Sequence, residues 1–111
     1  MSITTHILDT SRGKPASGVL VTLERRESDG SWSPVGHGET DPEGRLQTLT
    51  PEPVENGIYR LTFDTGTYFR ERHLETFFPE AIILFNVNDG EQHYHVPLLL
   101  SPWGYSTYRG G

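Results

Sequence analysis

The chain has no cysteine among its 111 residues, which removes disulfides, thiolate metal centres and cysteine nucleophiles from consideration. Such a composition fits a reducing compartment. Positive charge is also scarce: Lys and Arg number 9 against 15 Asp and Glu, for a formal net charge of -6. The basic residues are scattered, so neither a nucleic-acid footprint nor an anionic-membrane surface is expected. No apolar run approaches the ~18 residues that a membrane helix requires. The opening MSITTHILDT lacks a basic segment followed by a long apolar one, and the closing Arg-Gly-Gly is no peroxisomal address. A cytoplasmic location is the simplest expectation. Two familiar catalytic signatures are missing as well. There is no Gly-x-Ser-x-Gly elbow, and SRGKPASG lacks the spacing of a phosphate loop. Ser101, before Pro102, reads as a turn residue.

What remains is punctuation and alternation. The length predicts one domain over residues 1–111, able to bury about two-thirds of its unfolded surface around one core. The 12 glycines and 8 prolines separate short runs of period-2 alternation, the pattern of an all-β domain. In GVLVTLE, Val19, Val21 and Leu23 share one face. In GIYRLTFDT, Tyr59, Leu61 and Phe63 do the same. AIILFNVN, the Asp89-Gly90 turn signal and QHYHVPLLL together predict a hairpin. Further strands are predicted at 3–9, 32–38, 45–49 and 105–108. About eight strands imply two packed sheets. One helix is predicted in TYFRERHLETFFP, ended by Pro79.

The candidate functional residues each have an ordinary alternative. On the strand HYHVPLLL, His93, His95, Pro97 and Leu99 share an outward face, while Tyr94, Val96, Leu98 and Leu100 form the core side. A half-apolar outward face suits a subunit interface. A His-x-His pair on a strand can also chelate zinc, but no second ligand cluster accompanies it, so a metal-free, cofactor-free role is expected. His6 alone reads as a half-exposed strand residue. The segment TDPEGR is a turn in which Pro42 presets φ and Gly44 can take positive φ. It projects Arg45, whose planar guanidinium suits carboxylates and planar oxyanions.

The stretches TTHILDTSRGKPASGVLVTLER, DPEGR, GIYRLTFDT, FFPEAIILFNV and HYHVPLLLSPWGYSTYRGG, in this order along nearly the whole chain, resemble the 5-hydroxyisourate hydrolases, the transthyretin-related enzymes of purine catabolism. The resemblance implies a transthyretin-like sandwich of two four-stranded sheets with one short helix, and a homotetramer with active sites in the groove between dimers. It implies hydrolysis of 5-hydroxyisourate to 2-oxo-4-hydroxy-4-carboxy-5-ureidoimidazoline, by imidazole-activated water attack on a ring lactam carbonyl. It places catalytic roles on His6, Arg45 and His95. It places Tyr108 against substrate, with Arg109, Gly110 and Gly111 of the same tail at the site. His93 matches no family role. The family tail ends Tyr-Arg-Gly-Ser where this chain has Tyr-Arg-Gly-Gly, so a serine hydroxyl is missing here. Two other readings stand beside it: a carrier of thyroid hormone or another aromatic ligand, which would share the fold, and a structural or adhesion β-sandwich, which the composition allows. A carrier channel would have no use for His6, Arg45, His95 and the Tyr-Arg-Gly tail together.

Overall fold

The computed structural model describes residues 2–50, 54–90 and 92–111. Among these residues the chain runs through β1 (Ser2–Asp9), β2 (Lys14–Pro15), β3 (Leu20–Arg26), β4 (Trp32–Glu39), β5 (Arg45–Leu46), β6 (Gly57–Phe63), α1 (Thr65–Arg70), β7 (Ala81–Val87), β8 (His93–Ser101) and β9 (Gly104–Thr107). The strands form two sheets. One is ordered β4-β3-β6-β7; the other is ordered β2-β1-β8-β9, with β5 also on β1. β2 pairs with Leu8 and Asp9, and β5 with Thr5 and His6. These two short pieces occupy the β1 edge opposite β8, so this sheet is also four strands wide.

Alternation places the core between the sheets. Ile3 and Ile7 from β1, Val21 and Leu23 from β3, Leu61 and Phe63 from β6, and Leu98 from β8 are all fully buried. Burying a side chain of this kind stabilises the fold by about 1.5–3 kcal/mol. The inward sets expected from β3, β6 and β8 are the buried ones, Tyr94, Val96 and Leu100 included.

Two expectations need correction. The segments AIILFNVN and QHYHVPLLL do not form a hairpin: β7 pairs with β6, whereas β8 pairs with β1 and β9. The Asp89-Gly90 turn carries the chain from one sheet to the other. Each flanking strand buries one apolar face, Ala81, Ile83 and Val87 on β7 and Tyr94, Val96, Leu98 and Leu100 on β8, and arching across the sandwich aims both into the same core. The Tyr94 hydroxyl accepts the N–H groups of Asn88 (3.2 Å) and Asp89 (3.1 Å), and the Asn56 side chain accepts that of Gly90 (2.8 Å). The turning backbone is thereby satisfied.

The helix is also shorter than predicted, and it starts earlier. Asp64 caps it, accepting from Thr67 N (3.2 Å) and Thr67 Oγ1 (2.8 Å). It ends where His73 takes φ 58°. His73 N donates to Arg70 O (3.0 Å) and Leu74 N to Phe69 O (3.0 Å), a Schellman-type closure with histidine in the place glycine usually holds. Pro79 lies beyond this end. Its carbonyl accepts from Gly66 N (2.9 Å) in the first turn, tying the following loop to the helix.

The helix is fastened to β1 through a buried polar group. Asp9 is fully buried; its Oδ1 accepts from Ser11 N (3.1 Å) and Ser11 Oγ (2.6 Å), and its Oδ2 from Tyr68 Oη (2.8 Å). Arg12 donates to the same Tyr68 oxygen (3.1 Å), and the Arg72 guanidinium lies 3.7 Å from the centre of the ring. Burial, and the hydrogen bond to Asp9, push the Tyr68 phenol above its ordinary pKa, so it donates throughout the neutral range. Removing that donor leaves one buried carboxylate oxygen without a partner, at a cost of about 1–3 kcal/mol. Tyr68→Phe is therefore expected to lower the urea midpoint with an unchanged m value, measured by equilibrium unfolding. An unaltered midpoint would show that the Asp9 contact contributes nothing.

Candidate active site

The parallel pairing of β1 with β8 sets Ser2 beside His93, Thr4 beside His95 and His6 beside Pro97. All six residues belong to the outward positions of their strands, since the intervening residues Ile3, Thr5, Tyr94 and Val96 are buried. On the other edge of β1, His6 pairs with Arg45. Three strands thus deliver His6, Arg45, His93 and His95 to one outward face. Their side chains were separable from the core by alternation; their convergence is a product of register.

Arg45 is held by the turn before it. Gly44 N donates to Asp41 O (2.8 Å), and the Asp41 carboxylate accepts from Glu43 N (2.8 Å) and Arg45 N (3.0 Å). Gly44 has φ 76°, and a Cβ there would lie 2.4 Å from the Ile7 carbonyl oxygen, so this position accepts only glycine. Gly44 O accepts from Ile7 N (2.8 Å), which locks the turn onto β1. The same turn holds His6: Nε2 lies 2.9 Å from Glu43 O. A carbonyl can only accept, so Nε2 carries hydrogen and the neutral ring presents Nδ1 as its open lone pair.

A cavity of about 410 Å³, within the usual range for small-molecule sites, is lined by Ser2, Thr4, Thr5, Arg45, Gln47, His93, His95 and Gly111. His95 is half-buried in its wall, with Nδ1 2.8 Å from Thr4 Oγ1. Its Nε2 has no hydrogen-bond partner among the described residues. The tail backs the ring: Gly110 N donates to His95 O (2.8 Å), and a Cβ at Gly110 would fall 2.6 Å from His95 Cδ2. Glycine at 110 is what lets the tail lie against the imidazole. Desolvation lowers the His95 pKa below its ordinary value, and the positive charges of His6, His93 and Arg45 lower it further. The ring is accordingly neutral at pH 7 and able to accept a proton.

His93 is exposed, and its ring stacks at 6.4 Å from that of His95, with planes 12° apart. The Thr4 hydroxyl bonds both rings, so each already spends one nitrogen on it. Among the described residues, no three His, Asp or Glu side chains converge as a metal-holding group.

The tail divides. Gly110 and Gly111 reach the His95 cavity, but Tyr108 and Arg109 line a second cavity of about 390 Å³ with Ile83, Phe85, Tyr94 and Val96. Arg109 lies 4.5 Å from the Tyr94 ring centre and donates to Gln92 Oε1 (3.0 Å). The His6 side chain is close to the first cavity without forming its wall. Pro97, expected on the open face, is buried within the single chain, while Leu99 is half-buried. Thr4, Ser2 and Gln47 were not foreseen; Thr4, two residues before His6 on the same strand face, was the one readable from spacing.

The chain matches the model of the HIUase/Transthyretin family over residues 3–110. A 5-hydroxyisourate hydrolase of Salmonella typhimurium is 50% identical over 109 residues, covering 97% of this chain and 79% of the relative. One from Mus musculus is 44% identical over 110 residues, covering 97% and 93%. Among solved structures, the Klebsiella pneumoniae 5-hydroxyisourate hydrolase aligns with a TM-score of 0.88 and 40% identity over 100% of both chains. A sea bream transthyretin in complex with thyroxine aligns with a TM-score of 0.94 and 32% identity, over 99% of this chain and 95% of that one.

The electrostatics of the cavity can be read directly. In a histidine titration followed by NMR, His95 is expected to show a midpoint below the ordinary value of about 6.5. Arg45→Gln removes a positive neighbour and is expected to raise that midpoint. A midpoint at or above the ordinary value in the unaltered protein would contradict the described environment.

Proposed function

The chain belongs to the HIUase/transthyretin family, and from that membership and the His6–Arg45–His95 face we propose that it hydrolyses 5-hydroxyisourate. The observation that carries the proposal is His95: a neutral imidazole with an open Nε2, its ring backed by Gly110, in a cavity walled also by Arg45.

In this reading, His95 Nε2 takes a proton from water as the water oxygen attacks a ring lactam carbonyl. Such general-base assistance is typically worth about 10²–10⁴-fold. The Arg45 guanidinium binds the planar, oxygen-rich substrate and meets the negative charge that develops on the attacked carbonyl. A donor aimed at a developing oxyanion is often worth about 2.7–4 kcal/mol. His6, anchored through Nε2, offers Nδ1 for proton transfer or substrate contact. The C–N bond then opens, and the leaving nitrogen takes up a proton, giving 2-oxo-4-hydroxy-4-carboxy-5-ureidoimidazoline. Residues 1–111 act as one hydrolase domain, in the cytoplasm.

The working form is a homotetramer, a dimer of dimers. Among the described residues β7 and β9 are edge strands, each paired on one side alone, and the cavity lined by Ile83, Phe85 and Tyr108 lies along these edges. Two-fold pairing of such edges with a second copy satisfies the open backbone groups. Tyr108 and Arg109 then contribute to substrate binding through the assembled subunits, together with Gly110 and Gly111.

The fold alone does not separate this reading from a thyroid-hormone carrier, because the sea bream protein shares it. The residues do. Arg45, two histidines, Thr4 and Gln47 make a cavity wall unsuited to an apolar aromatic ligand.

Freshly generated hydroxyisourate is expected to lose its ultraviolet absorbance faster with the protein than without it. His6→Asn, Arg45→Ala and His95→Asn should each cut that acceleration by about tenfold or more while leaving the circular dichroism unchanged. Full activity in all three variants, or thyroxine binding without hydrolysis, would remove the assignment.

A further inference from the structure

Behind His95 the cavity wall holds a chain of hydrogen bonds that the reaction above leaves unused. Thr4, 6% exposed, places Oγ1 2.8 Å from His95 Nδ1 and 3.2 Å from His93 Nε2. Ser2 Oγ continues the line, 2.7 Å from His93 Nδ1. A hydroxyl carries one proton. If it donates to one of the two ring nitrogens, it must accept from the other. Only two arrangements of neutral rings follow. In the first, His95 Nδ1–H donates to Thr4, Thr4 donates to His93 Nε2, and His93 Nδ1–H donates to Ser2. In the second, every bond runs the other way.

The two arrangements differ at the atom that does the chemistry. In the first, His95 Nε2 bears a lone pair and can accept a proton from water. In the second it bears hydrogen and can donate one. When His95 Nε2 takes a proton from water, a shift along Thr4 to His93 leaves His95 neutral with that hydrogen on Nε2, an acid where it was a base, without moving a ring.

We propose that Thr4 relays protons between His95 and His93, with His93 holding the proton that His95 takes from water. The inference rests on the hydrolytic reading. The steps balance. Water gives a proton to His95 Nε2; His95 Nδ1 passes its own to Thr4 Oγ1, and the Thr4 proton moves to His93 Nε2. His95 is again neutral, now with hydrogen on Nε2 for the leaving nitrogen, and His93 is the imidazolium. When the leaving nitrogen takes that hydrogen, the proton on His93 returns by the same path.

Burial decides where the positive charge rests. His95 is half-buried and faces Arg45, His6 and His93, all of which disfavour its protonated form. His93 is exposed, where water solvates an imidazolium at little cost. The inward neighbour is thus the better catalyst and the outward one the better reservoir. Thr4 and His93 are positioning residues in this scheme, acting through His95.

The test uses the full chain with Thr4→Val, Thr4→Ser and His93→Gln. Steady-state hydrolysis of hydroxyisourate is read as kcat and KM separately, and the His95 tautomer by ¹⁵N–¹H NMR at pH 8. Thr4→Val, nearly the same size but without the hydroxyl, is expected to lower kcat about tenfold or more with KM changed by less than about twofold. The His95 tautomer should shift as well. Thr4→Ser keeps the hydroxyl and should restore kcat to within about threefold. His93→Gln keeps a hydrogen-bonding amide but cannot hold the proton, so kcat should fall about fivefold or more. Unchanged kcat in Thr4→Val or His93→Gln overturns the relay while leaving the hydrolytic reading intact. An unaltered chain inert toward hydroxyisourate overturns that reading. In that case the tautomer shift in Thr4→Val still reports whether Thr4 sets the state of His95, and its absence overturns the hydrogen-bond chain itself.

Discussion

The parallel pairing of β1 with β8, from Ser2 opposite His93 to Asp9 opposite Leu100, is the constraint on which the rest of this structure depends. A slip of one residue would exchange the two faces of β1, placing Ile3 and Ile7 in solvent and Thr4 and His6 in the core. Burial of those isoleucines therefore fixes the register, and the register in turn sets Thr4 against His95. Hydrophobic burial on one side of the sheet is what positions polar groups on the other to within hydrogen-bonding distance. The site has no separate scaffold.

The second constraint is electrostatic. The chain as a whole is acidic, yet this face gathers Arg45 and three histidines. Their mutual repulsion, added to the partial burial of His95, keeps that ring neutral where an isolated histidine would be partly protonated. Binding an oxygen-rich substrate calls for positive charge, and a general base calls for a neutral imidazole. In the proposed reaction Arg45 serves both ends: its charge lowers the basicity of His95, and the same guanidinium is the group assigned to the substrate's oxygens. The turn that presents Arg45 also fixes the tautomer of His6 through the Glu43 carbonyl.

Much of this was legible in the residues. Alternation identified the buried faces of β3, β6 and β8 and put His93 and His95 on the outward side. The turn chemistry of Asp41-Pro42-Glu43-Gly44 located Arg45, and family resemblance selected His6 and His95 from the five histidines. Three things were hidden, each for a physical reason. The hairpin signal at Asp89-Gly90 reports a tight turn, and a tight turn can join two sheets as readily as two neighbouring strands; sheet assignment depends on which apolar faces meet. The helix end at His73 uses a left-handed histidine, where sequence reasoning looks for glycine or proline. Thr4 meets His95 across a separation of 91 positions, and no local pattern encodes a contact of that span. The placement of Tyr108 and Arg109 along the β7 and β9 edges follows from the same long-range order.

The central claim is that a neutral His95 activates water on this face, and the pH dependence of kcat/KM for hydroxyisourate hydrolysis tests it most directly. Protonation of the base should abolish activity on the acid side, so kcat/KM, corrected for spontaneous decay, is predicted to fall along one acid limb. Its midpoint should lie below the ordinary histidine value of about 6.5 and coincide with the midpoint of His95 in the free protein. A profile that stays flat through the His95 transition, or a limb that follows another histidine, would contradict the account.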